Sequence, residues 1–183
     1  MHGSRKIDDP KFIIMELVQL VDEQDNEIGV MEKLSAHREA KLHRAISIFI
    51  FNEDGALLLQ RRAGTKYHSA LLWTNTCCTH PRPKENLLDA ANRRLREEMG
   101  MSAELKFCFS FVYKAALENG LTEYEFDHVY FGRSNQLPVP NNEEVEEWRY
   151  VNLTEIEEEL AQHPELFTEW FKLIFDRVKE LRK

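Results

Sequence analysis

Cysteine is scarce in this sequence. Only three cysteines occur among 183 residues, and two of them, Cys77 and Cys78, are adjacent. An odd and sparse set of this kind is not the pattern of a disulfide framework, which small secreted domains use in place of a large core. We therefore expect reduced thiols in a reducing compartment and a chain that is stabilised by its hydrophobic core.

Long apolar segments are also missing. No run approaches the ~20 apolar residues that cross a bilayer, and the N-terminus lacks the basic-then-apolar order of a signal peptide. The sequence contains no internal repeat, low-complexity segment or linker. It predicts a cytoplasmic protein without a membrane partner, with a single domain over residues 17–183. Residues 1–16 are interpreted as an N-terminal extension whose first four residues resemble a cloning remnant.

Basic residues are fewer than acidic residues, 24 against 32. The formal net charge is −8, which argues against nucleic acid as a partner because nucleic-acid binding requires basic patches. Basic residues are nevertheless concentrated between Arg61 and Arg96, around the segment that holds Cys78. A local positive field of this kind favours an anionic substrate, and diphosphate is a suitable small anion.

Periodicity predicts a mixture of strands and helices. Runs rich in Ile, Val and Phe indicate strands, residues 52–55 form a hairpin turn between two of them, and Gly100 ends a helix. Strands with helices packed on a mixed sheet belong to the α+β class. The predicted strands cover residues 12–22, 45–51, 56–59, 105–115, 122–132 and 148–152, and the predicted helices cover residues 85–99 and, interrupted by Pro164, residue 154 onward.

The most informative segment is residues 73–81, Trp-Thr-Asn-Thr-Cys-Cys-Thr-His-Pro. In an extended segment, residues two positions apart share a face, so Cys78 and His80 face the same space while Cys77 points away. A thiol beside a metal-binding imidazole can act as acid, base or nucleophile if its pKa is lowered from about 8.5. The alternative interpretation is a pair of small buried hydrophobic side chains.

Glu98 occupies an unusual position on the predicted helix. At about 100° per residue it falls inside an apolar stripe, and a carboxylate on a buried face needs a partner. One alternative is a salt bridge to Arg94, four residues earlier, and the other is a metal ion or a metal-bound phosphate. The stripe consists of Leu87, Leu88, Ala91, Leu95 and Met99.

Acidic residues alternate along the strand predicted for residues 122–132. Period 2 places Glu123, Glu125 and Asp127 on one face. Either this face is solvated, or two of its carboxylates bind a hard cation or move a proton. Three histidines elsewhere in the chain can join two of the carboxylates in an octahedral Mn²⁺, Mg²⁺, Fe²⁺ or Zn²⁺ site. That combined donor set is His37, His43, His80, Glu123 and Glu125.

Three signatures occur in order along the chain. They are Thr-Asn-Thr-Cys-Cys-Thr-His-Pro at residues 74–81, Arg-Arg-Leu-Arg-Glu-Glu-Met-Gly at residues 93–100, and Glu-x-Glu at residues 123–125. With them the chain resembles the type I isopentenyl diphosphate isomerases, a branch of the Nudix-fold proteins, from about Val18 to the C-terminus. The resemblance implies a Nudix-like mixed β-sheet core with flanking helices in a single domain.

The resemblance also implies roles for individual residues. Cys78 and Glu125 would be the two proton-transfer groups, with Tyr113 and Trp170 near the double bond of the substrate. One divalent metal ion, Mn²⁺, Mg²⁺ or Zn²⁺, would bind to the protein, and Glu98 would bind a Mg²⁺ ion carried by the substrate diphosphate. The implied ligands of the first metal are His37, His43, His80, Glu123 and Glu125, and the implied phosphate-binding residues are Lys33, Arg62, Lys66 and Arg94.

The implied activity is metal-dependent isomerisation of isopentenyl diphosphate to dimethylallyl diphosphate. One proton is delivered to the terminal carbon and another is removed from C2 on the opposite face, through a state with carbocation character. We favour Glu125, relayed by Tyr113, for protonation and the Cys78 thiolate for abstraction. The expected partner is therefore a small isoprenoid diphosphate, bound by a monomer or a weak homodimer.

Two positions depart from the parent Nudix pattern. Thr79 stands where that pattern has glycine, and Arg94 stands where its catalytic helix has glutamate. Loss of this glutamate removes a metal ligand that diphosphohydrolases use, so the departure keeps the fold and argues against hydrolysis. A Nudix diphosphohydrolase is the alternative activity, and a noncatalytic binding module is the alternative without chemistry.

Overall fold

Nine strands form one mixed sheet in the computed structural model, which describes residues 16–182. The strands are β1 (Leu17–Val21), β2 (Glu27–Glu32), β3 (His43–Phe51), β4 (Leu57–Arg62), β5 (Trp73–Thr74), β6 (Cys77–Thr79), β7 (Lys106–Ala116), β8 (Thr122–Arg133) and β9 (Val145–Val151). The helices are α1 (Lys33–Arg38), α2 (Leu87–Met99), α3 (Leu153–Gln162) and α4 (Glu169–Leu181), with 3₁₀ turns at Glu118–Gly120 and Pro164–Leu166. The predicted α+β class with a mixed sheet and flanking helices is confirmed.

The N-terminal extension predicted for residues 1–16 lies outside the described residues except for Glu16. The same is true of the first part of the strand predicted over residues 12–22, of which β1 is the described part. None of the helices within residues 16–182 has the length and apolar character that crossing a membrane requires.

Strand β3 is the centre of the sheet. It pairs in parallel with β8 along its whole length and antiparallel with the short strand β6. The parallel register places His43 beside Glu125, and the antiparallel register places Ser47 beside Cys78. Because β3 pairs with both β6 and β8, it holds the predicted thiol and the predicted carboxylates in neighbouring positions of one sheet.

Two hydrophobic cores cover the two faces of the sheet. One contains the buried residues of α4, among them Trp170, together with one face of β3. The other contains the buried residues of α2 and the alternate residues of β3. Cys77 belongs to the core under α2, whereas Cys78 packs against the core under α4. This is the alternation that an extended segment predicts.

Helix α2 ends at Gly100 as predicted, and it begins at Leu87, two residues after the predicted start. The side chain of Asn86 accepts hydrogen bonds from the backbone N–H groups of Leu88 and Asp89, and Gly100 ends the helix in the left-handed conformation at φ +62°. Glu98 is buried, as predicted. The predicted stripe is wrong at Leu88, which is 40% exposed because Ala90 and Ala91 face the core instead.

Candidate active site and metal centre

Two strands, a short helix and the residue after a third strand bring four side chains together. His43 begins β3 beside Glu125 of β8, His37 lies in α1, and His80 follows β6. The ligand atoms of these four residues lie within 4.8 Å of one another. His80 Nε2 is 2.9 Å from Glu125 Oε1 and 3.2 Å from His43 Nε2.

Backbone carbonyls orient two of these imidazoles. His37 Nδ1 lies 2.7 Å from the carbonyl oxygen of Lys33, and His43 Nδ1 lies 2.8 Å from that of Lys41. Because a carbonyl oxygen only accepts hydrogen bonds, each Nδ1 carries the proton and each Nε2 presents a lone pair. Among the described residues, His37 Nε2 is buried without a hydrogen-bond partner. Converging lone pairs with one unpartnered nitrogen suit a divalent cation.

Three of the four groups, His37, His80 and Glu125, are also in the protonation states that bind metals. Burial lowers the pKa of His37, and it lowers the pKa of His80 to about 3 although Glu125 opposes the shift. Burial by itself would raise the pKa of Glu125, but the adjacent imidazoles of His43 and His80 outweigh it and hold this pKa well below its usual value. Neutral imidazoles and an ionised carboxylate are the forms that coordinate metal ions.

Glu123 lies beside this cluster, in a second group of potential ligands. The Tyr113 hydroxyl donates to Glu125 Oε2 at 2.5 Å and lies 3.1 Å from Glu123 Oε2, so it connects the two carboxyl groups. Burial, together with the charge of Glu125, raises the pKa of Glu123 well above its usual range. The second group consists of His37, His68 and Glu123, whose ligand atoms also lie within 4.8 Å of one another.

The alternative of a solvated acidic face on β8 is wrong. Glu123, Glu125 and Asp127 are 4%, 6% and 1% exposed, because this face of β8 is covered by the rest of the fold. Asp127 Oδ2 accepts a hydrogen bond of 2.7 Å from Ser47 Oγ. Burial, followed by the charge of Glu125, raises the pKa of Asp127 to about 8. Asp127 is therefore a buried carboxylic acid near neutral pH.

Cys78 is held by hydrogen bonds on two sides. Trp170 Nε1 donates to Cys78 Sγ at 2.9 Å, and the thiol lies 2.8 Å from Asn75 Oδ1, to which it donates. Burial, followed by the charge of Asp127, raises the pKa of Cys78 above its ordinary value. Cys78 is therefore a protonated thiol at neutral pH.

One cavity of about 60 Å³ connects the thiol with the histidine and carboxylate cluster. Cys78, His80, Glu125, Tyr113 and Trp170 all line it, as the shared face of Cys78 and His80 predicts. A wider groove of about 680 Å³ shares several wall residues with this cavity. A small enclosed space that adjoins a wide polar groove suits a ligand with a short apolar part and a charged head.

Four basic side chains line the same cavity, and protein groups pair with them in this structure. Lys33 Nζ is 3.1 Å from Glu16 Oε1, and Lys66 forms an ion pair with Glu144. The guanidinium of Arg62 lies 5.2 Å from the ring of Trp170. The four residues are Lys33, Arg62, Lys66 and Arg94, the set predicted to surround the phosphates.

The buried carboxylate of Glu98 has two partners. Arg94 forms an ion pair with it, and Gln60 Nε2 donates to its Oε2 at 3.2 Å. Arg94 Nε also donates to Thr79 Oγ1 at 3.0 Å, so the two residues that depart from the parent Nudix pattern contact each other. Of the two interpretations of Glu98, the salt bridge to Arg94 is present in this structure.

Sequence reasoning missed several residues of this site. Ser47 shares the face of His43 by the two-residue period of β3, so alternation along the strand could have found it. Asp127 was placed on the correct face but received no role. His68 and Asn75 lie between strands, where no periodicity marks a buried side chain.

Comparison with known proteins gives one family. The NUDIX domain model matches residues 41–171. Isopentenyl-diphosphate Delta-isomerase 1 of Aromatoleum aromaticum is 55% identical over 166 residues, which cover 91% of this chain and 94% of that protein. Isopentenyl-diphosphate Delta-isomerase of Pectobacterium atrosepticum is 50% identical over 163 residues, which cover 89% and 91%.

Solved structures share the fold at much lower identity. A Deinococcus radiodurans protein superimposes with a TM-score of 0.75 at 20% identity, covering 88% of this chain and 98% of that one. A MutT protein from Methanosarcina mazei gives a TM-score of 0.63, also at 20% identity, covering 78% and 96%. These similarities concern the fold.

Proposed function

Because this chain belongs to the isopentenyl-diphosphate Delta-isomerases of the Nudix family, we propose that it is an enzyme that converts isopentenyl diphosphate to dimethylallyl diphosphate. The observation that carries this proposal is the cavity in which Cys78 and Glu125 come from different strands and face one enclosed space. The reaction moves a double bond by adding one proton and removing another, so it needs two proton-transfer groups around a flat substrate. Cys78 and Glu125 are these groups.

The reaction adds one proton to the substrate and removes another. A proton bonds to the terminal carbon of the alkene, the positive charge develops at C3, and C2 then loses a proton to restore a double bond. Burial raises the pKa of the Cys78 thiol, and the imidazoles beside Glu125 hold the pKa of that carboxyl low. These pKa shifts favour donation by Cys78 and acceptance by Glu125, the opposite of the direction that the sequence favours. The Tyr113 hydroxyl donates a hydrogen bond to Glu125, so Tyr113 can relay a proton from the substrate to this carboxylate.

The cavity wall suits a state with carbocation character. Trp170 is 3% exposed and its indole N–H points to Cys78, so its ring lies beside the reacting thiol. An aromatic face next to a desolvated cation contributes roughly 0.5 to 2 kcal/mol. A substrate that fills the cavity would also displace water, which would otherwise trap the cation as an alcohol.

A divalent metal ion would be held by the histidine and carboxylate cluster. The converging Nε2 lone pairs and the unpartnered His37 Nε2 suit such an ion. When bound, the ion supplies a fixed positive charge that orients Glu125 and tunes its pKa. The residues proposed to hold it are His37, His43, His80, Glu123 and Glu125.

The diphosphate is proposed to bind at the basic wall. Lys33, Arg62 and Lys66 line the cavity, and Glu16 and Glu144, the carboxylate partners of the two lysines, lie at the groove. A diphosphate has more negative charge than either carboxylate, so it can replace them as the ion-pair partner. Glu98 is proposed to bind a Mg²⁺ ion carried by the diphosphate, once the phosphates draw Arg94 away from it.

Incubation with isopentenyl diphosphate in D₂O, followed by NMR, tests the function directly. We expect deuterium in a methyl group of dimethylallyl diphosphate and no release of phosphate. Release of phosphate or pyrophosphate would favour a diphosphohydrolase instead. Binding of the substrate without deuterium exchange would favour a noncatalytic binding module. Cys78→Ala is the control, because it should bind the substrate and fail to isomerise it.

A further inference from the structure

His68 is a buried imidazole that neither the sequence motifs nor the proposed reaction uses. It is 5% exposed and lies in the loop between β4 and β5. Its Nε2 is 3.8 Å from Glu123 Oε1, and its ring meets the ring of Trp170 edge-on at 6.2 Å. His68 therefore stands between the carboxylates of the cluster and the aromatic wall of the cavity.

The second group of potential ligands shares a nitrogen with the first. His37 belongs to both groups, and its Nδ1 is already bonded to the carbonyl oxygen of Lys33. Only Nε2 remains, and it has one lone pair, so it can bind only one cation. The two groups therefore describe one metal centre with a larger set of donors. They do not describe two centres.

The spacing of the donors agrees with a single centre. Nitrogen and oxygen ligands lie about 2.0 to 2.2 Å from a zinc-sized ion, so two of its ligands are at most ~4.3 Å apart. The 3.8 Å between His68 Nε2 and Glu123 Oε1 is within that limit. Within each of the two groups the donors lie within 4.8 Å of one another, and His37 belongs to both, so side-chain movements about this shared ligand would bring the six donors around one ion.

The loop is built so that His68 faces inward. Ser69 and Leu71 adopt positive φ angles of +49° and +61°, which are strained for residues other than glycine. Arg62 stabilises this backbone by donating to the carbonyl oxygens of His68 and Ser69 at 3.2 and 3.1 Å. The carboxylate of Glu118 accepts the N–H of Ser69. Backbone strain that several contacts maintain often marks a functional position.

We propose that His68 is a fourth imidazole ligand of the metal ion held by His37, an inference that rests on the proposed metal centre. With the five donors named above it completes six. A donor set of four imidazoles and two carboxylates favours Zn²⁺, Fe²⁺ or Co²⁺ over Mg²⁺, because imidazole suits the later transition metals. The chain thereby gains selectivity for the metal from a loop residue outside its sequence motifs.

X-ray absorption on the Zn²⁺-loaded full chain counts the imidazoles. We expect four in the wild-type protein and three in His68→Gln. We also expect His68→Gln to weaken Zn²⁺ binding about tenfold or more, with a smaller effect on Mg²⁺. His163→Gln is the matched control, because His163 is 59% exposed on its side chain and should change neither result. Three imidazoles in the wild-type protein would overturn the inference.

A cysteine at position 68 gives a second, positive test. With Co²⁺ bound, His68→Cys should show an intense thiolate-to-cobalt charge-transfer band that the wild-type protein lacks. A His68→Cys protein that binds Co²⁺ without this band would refute coordination by residue 68. Both tests are independent of catalysis. If the protein incorporates deuterium but only three imidazoles bind the metal, His68 is not a ligand and the proposed isomerase activity still stands.

Discussion

Adjacent residues in a strand can have different chemistry, and the two thiols at the centre of this protein show it. Cys77 is buried in the core under α2, where burial and the charge of Glu98 raise its pKa. Cys78 faces the cavity, where it meets Trp170 and Asn75. One peptide bond therefore separates a packing residue from a candidate proton donor.

The first prediction compares these two cysteines. Cys78→Ala should lose several orders of magnitude in kcat, because the reaction loses a proton-transfer group, while Cys77→Ala should stay within about tenfold. Turnover of isopentenyl diphosphate, measured at equal folded fraction, checks it. Cys77→Ala leaves a small cavity, so its melting temperature must be recorded alongside. Equal losses in the two variants would contradict the assignment.

The second prediction concerns Asp127 and pH. Its folded-state pKa is about 8, raised from 3.8, so between these values only the unfolded state releases the proton. Stability from this group is thus present at acidic pH and decreases as pH rises from about 4 to 8, by about 1.4 kcal/mol per unit. Asp127→Asn does not titrate and should gain stability relative to wild type by up to about 4 kcal/mol between pH 5 and 8.

Urea denaturation of the metal-free proteins at both pH values measures this difference. Asp54→Asn is the control, because Asp54 is exposed in the β3–β4 turn and its substitution should not change the pH dependence. If the difference between wild type and Asp127→Asn is the same at pH 5 and pH 8, Asp127 does not carry a raised pKa.

At the scale of a secondary-structure element, the end of α2 has little room for a side chain. Gly100 has φ +62°, and a Cβ atom built there would lie 2.3 Å from the carbonyl oxygen of Val139. The Val139 N–H in turn bonds to the carbonyl of Met99 at 2.9 Å. The last turn of α2, which carries Glu98, is thus held against the segment before β9 by a close backbone approach.

The third prediction separates conformational strain from this steric contact. Gly120 also has a positive φ, +70°, but nothing lies within 4 Å of its Cβ position. Gly120→Ala should therefore cost about 1 kcal/mol in the free energy of unfolding, from strain alone. Gly100→Ala should cost about 2 to 4 kcal/mol, because the backbone around Val139 must move as well. If chemical denaturation gives the two variants similar losses in the free energy of unfolding, the contact with Val139 does not contribute.

At the scale of the whole molecule, the proposed metal centre ties together distant parts of the chain. Its donors come from α1, β3, the end of β6 and β8. An unfolded chain cannot present them together, so an ion that binds the folded state stabilises the entire domain.

The fourth prediction is that metal binding raises the melting temperature. At a concentration 100 times its Kd, an ion that binds only the folded state adds about 2.7 kcal/mol to the free energy of unfolding. Mn²⁺ or Zn²⁺ added to chelator-treated protein should raise Tm, and a chelator should reverse the change. Differential scanning calorimetry measures both steps.

Three variants give this prediction its specificity. His80→Ala and Glu123→Gln should lose the Tm increase, the bound metal and the activity together. Glu98→Gln should keep the first metal and the Tm increase, because Glu98 pairs with Arg94 and lies outside both ligand groups. Elemental analysis decides the outcome. Full metal content in His80→Ala and Glu123→Gln would show that the cluster is not the metal centre.

Much of the fold could be predicted because it depends on local order along the chain. The strands at β3, β7 and β8 and the helices α2 and α4 follow from apolar periodicity. Gly100 marks the end of α2, and the predicted start at residue 85 is two residues before the observed one. The elements that were missed, α1 and β2, are short. They carry too few residues for a period to stand out, and contacts with the rest of the sheet maintain them.

The sequence by itself determined the class of the fold, the motifs of the family, and which faces of β6 and β8 carry Cys78, Glu123 and Glu125, because side-chain alternation needs only neighbouring residues. Tertiary structure decided the partners. The parallel register of β3 and β8 sets His43 against Glu125, and the loop after β4 places His68 beside Glu123. It also decided the protonation states, because a pKa depends on burial and on charges from distant parts of the chain.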